Sequence, residues 1–169
     1  GAVIDIKNNN VISIPPEKAI KKYLINNENS TYLYTPKNVK FGNVQDVINE
    51  YNTEFSYEPL IDGTMVNMFY HNDEWMISTR SNIGAKNSWD GKESFLKMFL
   101  DVNGDEWFKK LNKNYCYSFI LHNVNNRNVS PIETNAIYLI ENHEIKDGII
   151  EKKPLEEIDG IQKMIFLDK

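Results

Sequence analysis

Residues 64–80 decide the fold, and they read TMVNMFYHNDEWMISTR. Residues 64–70 and 75–79 are rich in aromatic and aliphatic side chains and alternate in the manner of half-buried strands. The polar residues 71–74 between them form a connection of four residues. This is the clearest β-hairpin in the chain, and it predicts an antiparallel sheet.

Further strands are predicted on both sides of this hairpin. Tyr115 to His122 and Ala136 to Ile145 have the composition of buried or half-buried strands. A tight turn at residues 146–148 is expected to pair the second of these with residues 149–150, because Asp-Gly is a common hairpin dipeptide. Residues 3–14 predict another hairpin around three asparagines.

Helices are predicted between the strands from apolar residues at three- and four-residue spacing. The predicted helices follow Pro15-Pro16, follow Asn43, span Phe95 to Val102, run from Asp105 to Leu111 and follow Pro154. Strands and helices mix without a regular βαβ alternation. We therefore predict an α+β fold with antiparallel-rich sheets and packed helices, formed by residues 1–169 as a single domain.

Composition and charge exclude several classes of protein. The 169 residues are 41% hydrophobic and contain no apolar run long enough to span a bilayer, which predicts a globular protein with no membrane partner. The single cysteine, Cys116, excludes an internal disulfide framework and fits an intracellular, cytoplasmic location. It lies in an apolar run, where a buried inert thiol is expected.

The charge is unevenly distributed. The net charge is -5, yet residues 75–128 carry eight basic and five acidic side chains, a balance of +3. Of the 19 basic residues only Arg80 and Arg127 are arginines, and both lie in this stretch. A planar guanidinium suits bidentate contact with phosphate. The positive stretch thus fits either a phosphate-bearing partner or ordinary solvated surfaces with ion pairs.

The sequence lacks the standard catalytic and nucleotide-binding motifs. The chain has no Walker phosphate loop, no dinucleotide-binding glycine fingerprint and no His-Glu-x-x-His helix. Its three histidines are dispersed, and a lone histidine is more often a turn or surface residue than a ligand. Of the three tryptophans, Trp89 lies in the most polar setting and is the best candidate for an exposed, base-stacking role.

Two segments carry a family resemblance. Residues 58–64 read EPLIDGT and lead into the hairpin; residues 117–123 read YSFILHN and are followed by Asn-Arg-Asn-Val at 126–129. In this order they resemble the nucleotidyltransferase domain of ATP-dependent RNA ligases, DNA ligases and mRNA capping enzymes. The similarity is greatest to RNA ligase-like proteins of large DNA viruses, and it covers roughly residues 53–145. It implies a ligase adenylation domain-like fold, ATP or GTP with Mg²⁺ as ligands, and a viral origin.

The chain departs from that family at the positions of the catalytic residues. The family's motif lysine forms a covalent lysyl-nucleotide, whereas this chain has Leu60 at that position, and an aliphatic side chain cannot be a nucleophile. Ile120 stands where the family has a metal-binding glutamate, and Asp147-Gly148 is either a degenerate Glu-Gly motif or a hairpin turn. No later Lys-x-Lys motif follows, as in a fragment of a longer protein. We assign no catalytic residue and no metal ligand.

The resemblance implies a pseudoenzyme that retains a cleft for a nucleotide or an RNA end. The cleft residues that it implies are Leu60, Asp62, Gly63, Arg80, Lys86, Asn126 and Arg127. Lys86 follows the hairpin closely enough to contact a bound phosphate. The alternative is a structural or protein-interaction module within a larger, viral protein. A third possibility is an enzyme inactivated by an engineered change at position 60.

Overall fold

The chain divides into two compact units in the computed structural model. One comprises Gly1–Pro16 and Pro59–Ile165, and the other comprises Glu17–Glu58 and Phe166–Lys169. The structure describes residues 1–16, 20–26, 29–35, 61–104, 106–126 and 131–163. The predicted helix after Asn43 lies outside these residues.

Each unit contains a small antiparallel hairpin. In the first unit β1 (Val3–Asp5) pairs with β2 (Asn10–Ser13), as the sequence predicts. In the second unit β3 (Ile20–Asn26) pairs with β4 (Asn29–Thr35) over the whole length of both strands.

A six-stranded sheet forms the body of the first unit. Its strands are β5 (Thr64–His71), β6 (Glu74–Ser78), β7 (Tyr115–His122), β8 (Ala136–Lys146), β9 (Ile149–Lys153) and β10 (Gln162–Lys163). The order is β10-β8-β7-β5-β6, and β9 also pairs with β8, at residues 142–146, whereas β10 pairs with residues 138–139. All neighbouring pairs are antiparallel except β10 and β8, which are parallel.

The predicted hairpins of this sheet are confirmed, with a shorter turn in one of them. Asn72 and Asp73 alone connect β5 to β6, with φ values of 50° and 62°. Asp147 and Gly148 connect β8 to β9 in the same manner, with φ values of 52° and 78°. Two consecutive left-handed residues match the twist of paired strands. Asp147-Gly148 is therefore a hairpin turn.

One face of the sheet is covered by the helix that the sequence predicts around Phe95. This helix, α1 (Phe95–Asn103), begins where Ser94 Oγ accepts the Lys97 amide N–H at 3.2 Å and ends at Gly104. Its buried residues Phe95, Met98 and Phe99 confirm the predicted core face. The ring centroids of Phe99 and Phe119 lie 5.6 Å apart. A 3₁₀ helix (Trp107–Lys110) replaces the predicted helix from Asp105 to Leu111.

The α+β prediction, with its ligase adenylation domain-like packed helices, is wrong. The described residues are mostly β: they form ten strands, one α-helix and one short 3₁₀ helix. The helix predicted after Pro15-Pro16 is strand β3, and the helix predicted after Pro154 is an irregular segment that leads into β10. No helix within the described ranges is long and apolar enough to cross a membrane.

Pairing and tertiary contacts explain both errors. Residues 20–26 fit a helical spacing, but residues 29–35 contain two Thr and two Tyr, which favour strands, and provide a full-length partner strand. Residues 154–161 are held by tertiary contacts: Asn142 Nδ2 donates to the Pro154 carbonyl at 3.2 Å and Asn103 Nδ2 donates to the Asp159 carbonyl at 3.1 Å. Leu155, Ile158 and Ile161 still pack on the core.

Candidate functional site

Strand register gathers most of the candidate residues at one end of the sheet. Thr64, the first residue of β5, pairs with Leu121 near the end of β7, and Ala136, the first residue of β8, pairs with His122. Ser78, the last residue of β6, pairs with Asn67. We call this the site end of the sheet. Lys146 and Ile149 lie at the opposite end.

Two hydrogen bonds tie Asp62 and its neighbours to the end of β7. The Asp62 carbonyl oxygen lies 2.7 Å from His122 Nε2, so the protonated ring nitrogen would donate to it. Asn126 Nδ2 donates to Thr64 Oγ1 at 2.7 Å. The structure thus brings Asp62, Gly63 and Asn126 together, and it gives each a role in holding the fold.

Gly63 is required by a close approach of neighbouring atoms. A Cβ atom at this position would lie 2.5 Å from Ile120 Cγ2 and 2.8 Å from the Leu121 carbonyl oxygen. The second of these is a backbone atom that cannot turn away. Ile120 itself is buried. The Asp-Gly pair is therefore explained by packing against β7 without any ligand.

Arg80 and Lys86 lie on a separate feature, the β6–α1 loop (residues 79–94). The loop is anchored at both ends: the Gly84 amide donates to the Ile77 carbonyl at 2.6 Å, and the Leu96 amide donates to the Ala85 carbonyl at 2.9 Å. Ala85 is fully buried between these two bonds. The side chains of this loop are therefore presented on a defined backbone.

A side-chain contact also closes the loop across its width. Thr79 Oγ1 donates to Asn87 Oδ1 at 3.1 Å. Arg80 adjoins Thr79 and Lys86 adjoins Asn87, and consecutive Cα atoms are about 3.8 Å apart. The two cationic residues are therefore the chain neighbours of one hydrogen-bonded pair.

Arg80 and Lys86 differ from the other cations of this region in having no acidic partner among the described residues. Arg80 and Lys86 are both exposed, and neither forms an ion pair with any described residue. By contrast, Lys92 lies 3.5 Å from Asp90, and Lys97 pairs with both Glu93 and Asp101. Surface ion pairing therefore does not account for Arg80 in the part of the chain that the structure describes.

Two cavities in the first unit carry more acid than base. A cavity of about 390 Å³ beside the site end is lined by Asp90, Lys92, Glu93, Met98 and Asn125. The Lys92 amide donates to Asp90 Oδ1 at 3.0 Å, which lowers the pKa of that carboxyl. A groove of about 640 Å³ beside the 3₁₀ helix has Lys110 against three carboxylates. Neither cavity is suited to hold a phosphate by itself.

The described residues do not form a metal centre of their own. No group of three or more His, Cys, Asp or Glu side chains within them is placed to hold an ion. Mg²⁺ that arrives with a phosphate ligand needs only one or two protein carboxylates. Cys116 is buried, as predicted, and burial raises the pKa of its thiol, so it is not an activated nucleophile.

Three residues that shape this region are absent from the predicted site, and two predicted site residues lie outside the part of the chain that the structure describes. His122, Thr64 and Asn87 were not singled out, although each makes a hydrogen bond that shapes the site end or the β6–α1 loop. His122 lay within the segment that carries the resemblance, which was the available signal. Leu60 and Arg127 lie outside the described residues.

Comparison with known proteins adds no assignment. No protein-family model, no curated protein and no solved structure matches the chain. The resemblance to RNA ligases therefore stays a prediction, and the function is argued from the site.

Proposed function

We propose that this chain is a non-catalytic binding module whose ligand bears phosphate, either a nucleotide or an RNA end. Binding takes place on the β6–α1 loop at the site end, with Arg80 and Lys86 as the phosphate contacts. The proposal rests on this surface and requires no shared fold with the ligases. Leu60 cannot serve as the covalent nucleophile, so binding is reversible.

The observation that carries the proposal is a pair of exposed, unpaired cations on an anchored loop. Arg80 and Lys86 flank the Thr79–Asn87 hydrogen bond, and no described carboxylate neutralises either of them. A guanidinium offers a fork of donors to phosphate, and an ammonium adds a point charge. In a chain of net charge -5, this local arrangement favours an anionic ligand.

A structural or protein-interaction module is the second candidate, and a specific observation favours it. The Asp62 carbonyl and Gly63 contact the end of β7, and Asn126 donates to Thr64 of β5, so folding explains the motif. Under this candidate the cations of the β6–α1 loop contact no phosphate.

Calorimetry at low salt separates the two candidates. ATP, GTP and a short 5′-phosphorylated RNA are titrated into the unmodified chain and into Arg80→Ala, Lys86→Ala and Lys146→Ala. Lys146 is the matched control, because it is exposed, forms no ion pair with the described residues and lies at the opposite end of the sheet.

We expect saturable binding by the unmodified chain and by the control. Each site variant should weaken it by about fivefold, which corresponds to about 1 kcal/mol, the upper value for a solvent-exposed ion pair. Equal binding by all four proteins would show that the ligand lies elsewhere. Absence of binding by every probe would refute the proposal and leave the interaction module.

A further inference from the structure

We infer that the ligand is single-stranded nucleic acid, one base of which stacks on the indole of Trp89. This inference deepens the proposed function and rests on it, since Arg80 and Lys86 would hold the phosphates of the same strand. It assigns a ligand class beyond a bare nucleotide phosphate, because the ligand would be held through a base as well as through its phosphates.

Trp89 is exposed to a degree that its size makes unusual. It has 67% of its surface exposed, whereas every other described aromatic side chain within residues 61–163 is buried or half-buried. Trp107 is part of the core, and Trp75 packs against it. Exposing a large apolar ring costs hydration free energy, and a planar base stacked on the ring would recover part of that cost.

The indole is also held in place before any ligand arrives. Its ring centroid lies 6.3 Å from that of Phe95, a buried residue of α1, at an interplanar angle of 81°. The backbone on its C-terminal side is fixed by the Gly91 amide, which donates to Ser88 Oγ at 2.8 Å. A pre-oriented ring loses little conformational entropy on binding a planar base.

Both cations belong to the loop that carries this ring, and Lys86 lies three residues before Trp89 in the chain. Trp89 is two residues from Asn87, the residue whose side chain is bonded to Thr79 beside Arg80. Lys92 and Asp90, which flank the ring on its other side, pair with each other. An aromatic platform beside unpaired cations is the combination that single-stranded nucleic acids use, since every base has a stacking face and every nucleotide a phosphate.

A protein partner would use the same tryptophan differently. Protein hot spots are also enriched in tryptophan and arginine, but they require a surrounding ring of contacts that excludes water. Trp89 has polar chain neighbours instead, and the same loop carries two cations without an acidic partner among the described residues, which favours nucleic acid.

The test compares two probes of equal phosphate number. One is a 5′-phosphorylated hexanucleotide of RNA, and the other is the corresponding abasic ribose-phosphate oligomer. Both are titrated into the unmodified chain, Trp89→Ala, Trp89→Phe and the control Ile149→Ala, with Arg80→Ala for comparison. Ile149 is a matched control because its side chain is 70% exposed at the opposite end of the sheet.

We expect Trp89→Ala to weaken binding of the hexanucleotide by about 5- to 150-fold and to leave binding of the abasic oligomer unchanged. Trp89→Phe should retain most of the affinity, and Ile149→Ala all of it. The hexanucleotide should quench tryptophan fluorescence in the unmodified chain and leave that of Trp89→Phe unchanged.

Two other outcomes would overturn the inference, and they affect the proposed function differently. If Trp89→Ala binds both oligomers as the unmodified chain does, while Arg80→Ala weakens both, stacking is refuted and phosphate binding stands. If neither oligomer binds the unmodified chain, stacking and the proposed function both fail.

Discussion

Replacing Tyr117 with Phe tests the contacts that hold residues 154–161 against the sheet. Tyr117 is fully buried, its hydroxyl donates to Glu156 Oε2 at 2.7 Å, and it accepts the Asn112 amide N–H at 3.0 Å. Removing the oxygen leaves both partners without this bond. A hydrogen bond to a charged group contributes about 1.5–3 kcal/mol, and water can reach the half-buried Glu156, so we expect a loss of about 1.5–2 kcal/mol at pH 7.

The pH dependence gives this prediction a second, independent measure. Burial and, secondarily, the hydrogen bond to Glu156 raise the pKa of Tyr117 far above its usual value near 10. Above about pH 10 the tyrosine ionises in the unfolded chain but stays protonated in the folded one. Unfolding then releases a proton, so the free energy of unfolding falls by about 1.4 kcal/mol per pH unit from this group.

Urea denaturation at pH 7, 10 and 11 measures both quantities. The Tyr117→Phe variant has no tyrosine hydroxyl to ionise at this position, so its free energy of unfolding should lack this fall with pH. The difference in free energy of unfolding between the two proteins should therefore shrink by up to about 1.4 kcal/mol between pH 10 and 11. Tyr115→Phe is the control at pH 7, because it removes a hydroxyl from the same strand that makes no hydrogen bond to a described residue. A loss equal to that of the control, or parallel curves of stability against pH, would refute the reasoning.

Three other outcomes are expected. Gly63→Ala should lower the free energy of unfolding by about 1–3 kcal/mol in urea denaturation, because the added methyl group meets the backbone of β7; an unchanged midpoint would contradict this packing. Asn126→Ala should cost about 1 kcal/mol through loss of the bond to Thr64, whereas the exposed neighbour Asn125→Ala should cost less; the reverse order would contradict the assigned hydrogen bond. Incubation with α-³²P ATP or GTP and Mg²⁺ should leave no label on a denaturing gel, because Leu60 cannot form a phosphoramidate; a labelled band would reveal an unrecognised nucleophile.

Local patterns predicted the central sheet well. Alternation identified β5 and β6, apolar composition identified β7 and β8, the Asp147-Gly148 pair identified the turn into β9, and spacing identified the buried face of α1. Neighbouring residues encode these elements. The two helix predictions are wrong because β3 needs β4 as its partner and because residues 154–161 are held by side chains from α1 and β8. Pairing across the fold outweighed a weak local preference.

The site residues were predicted only through the family resemblance. Strand order brings Asp62, Gly63 and Asn126 to one end of the sheet, and whether they form a binding cleft stays a prediction. The roles of those residues could not be read from the sequence, because they depend on the approach of β7 to within contact of Gly63. The exposure of Trp89 followed from its polar neighbours and is confirmed.

The salt dependence of RNA binding tests the central claim most directly. The affinity for a 5′-phosphorylated single-stranded RNA is measured from about 50 to 200 mM salt for the unmodified chain, Lys146→Ala and the double variant of Arg80→Ala with Lys86→Ala. Each phosphate neutralised on a single strand contributes about 0.7 to the slope of log affinity against log salt. We predict a slope about 1.4 shallower for the double variant and an unchanged slope for the control. Identical slopes in all three proteins, or no binding at the lowest salt, would contradict the assignment of Arg80 and Lys86 as phosphate contacts.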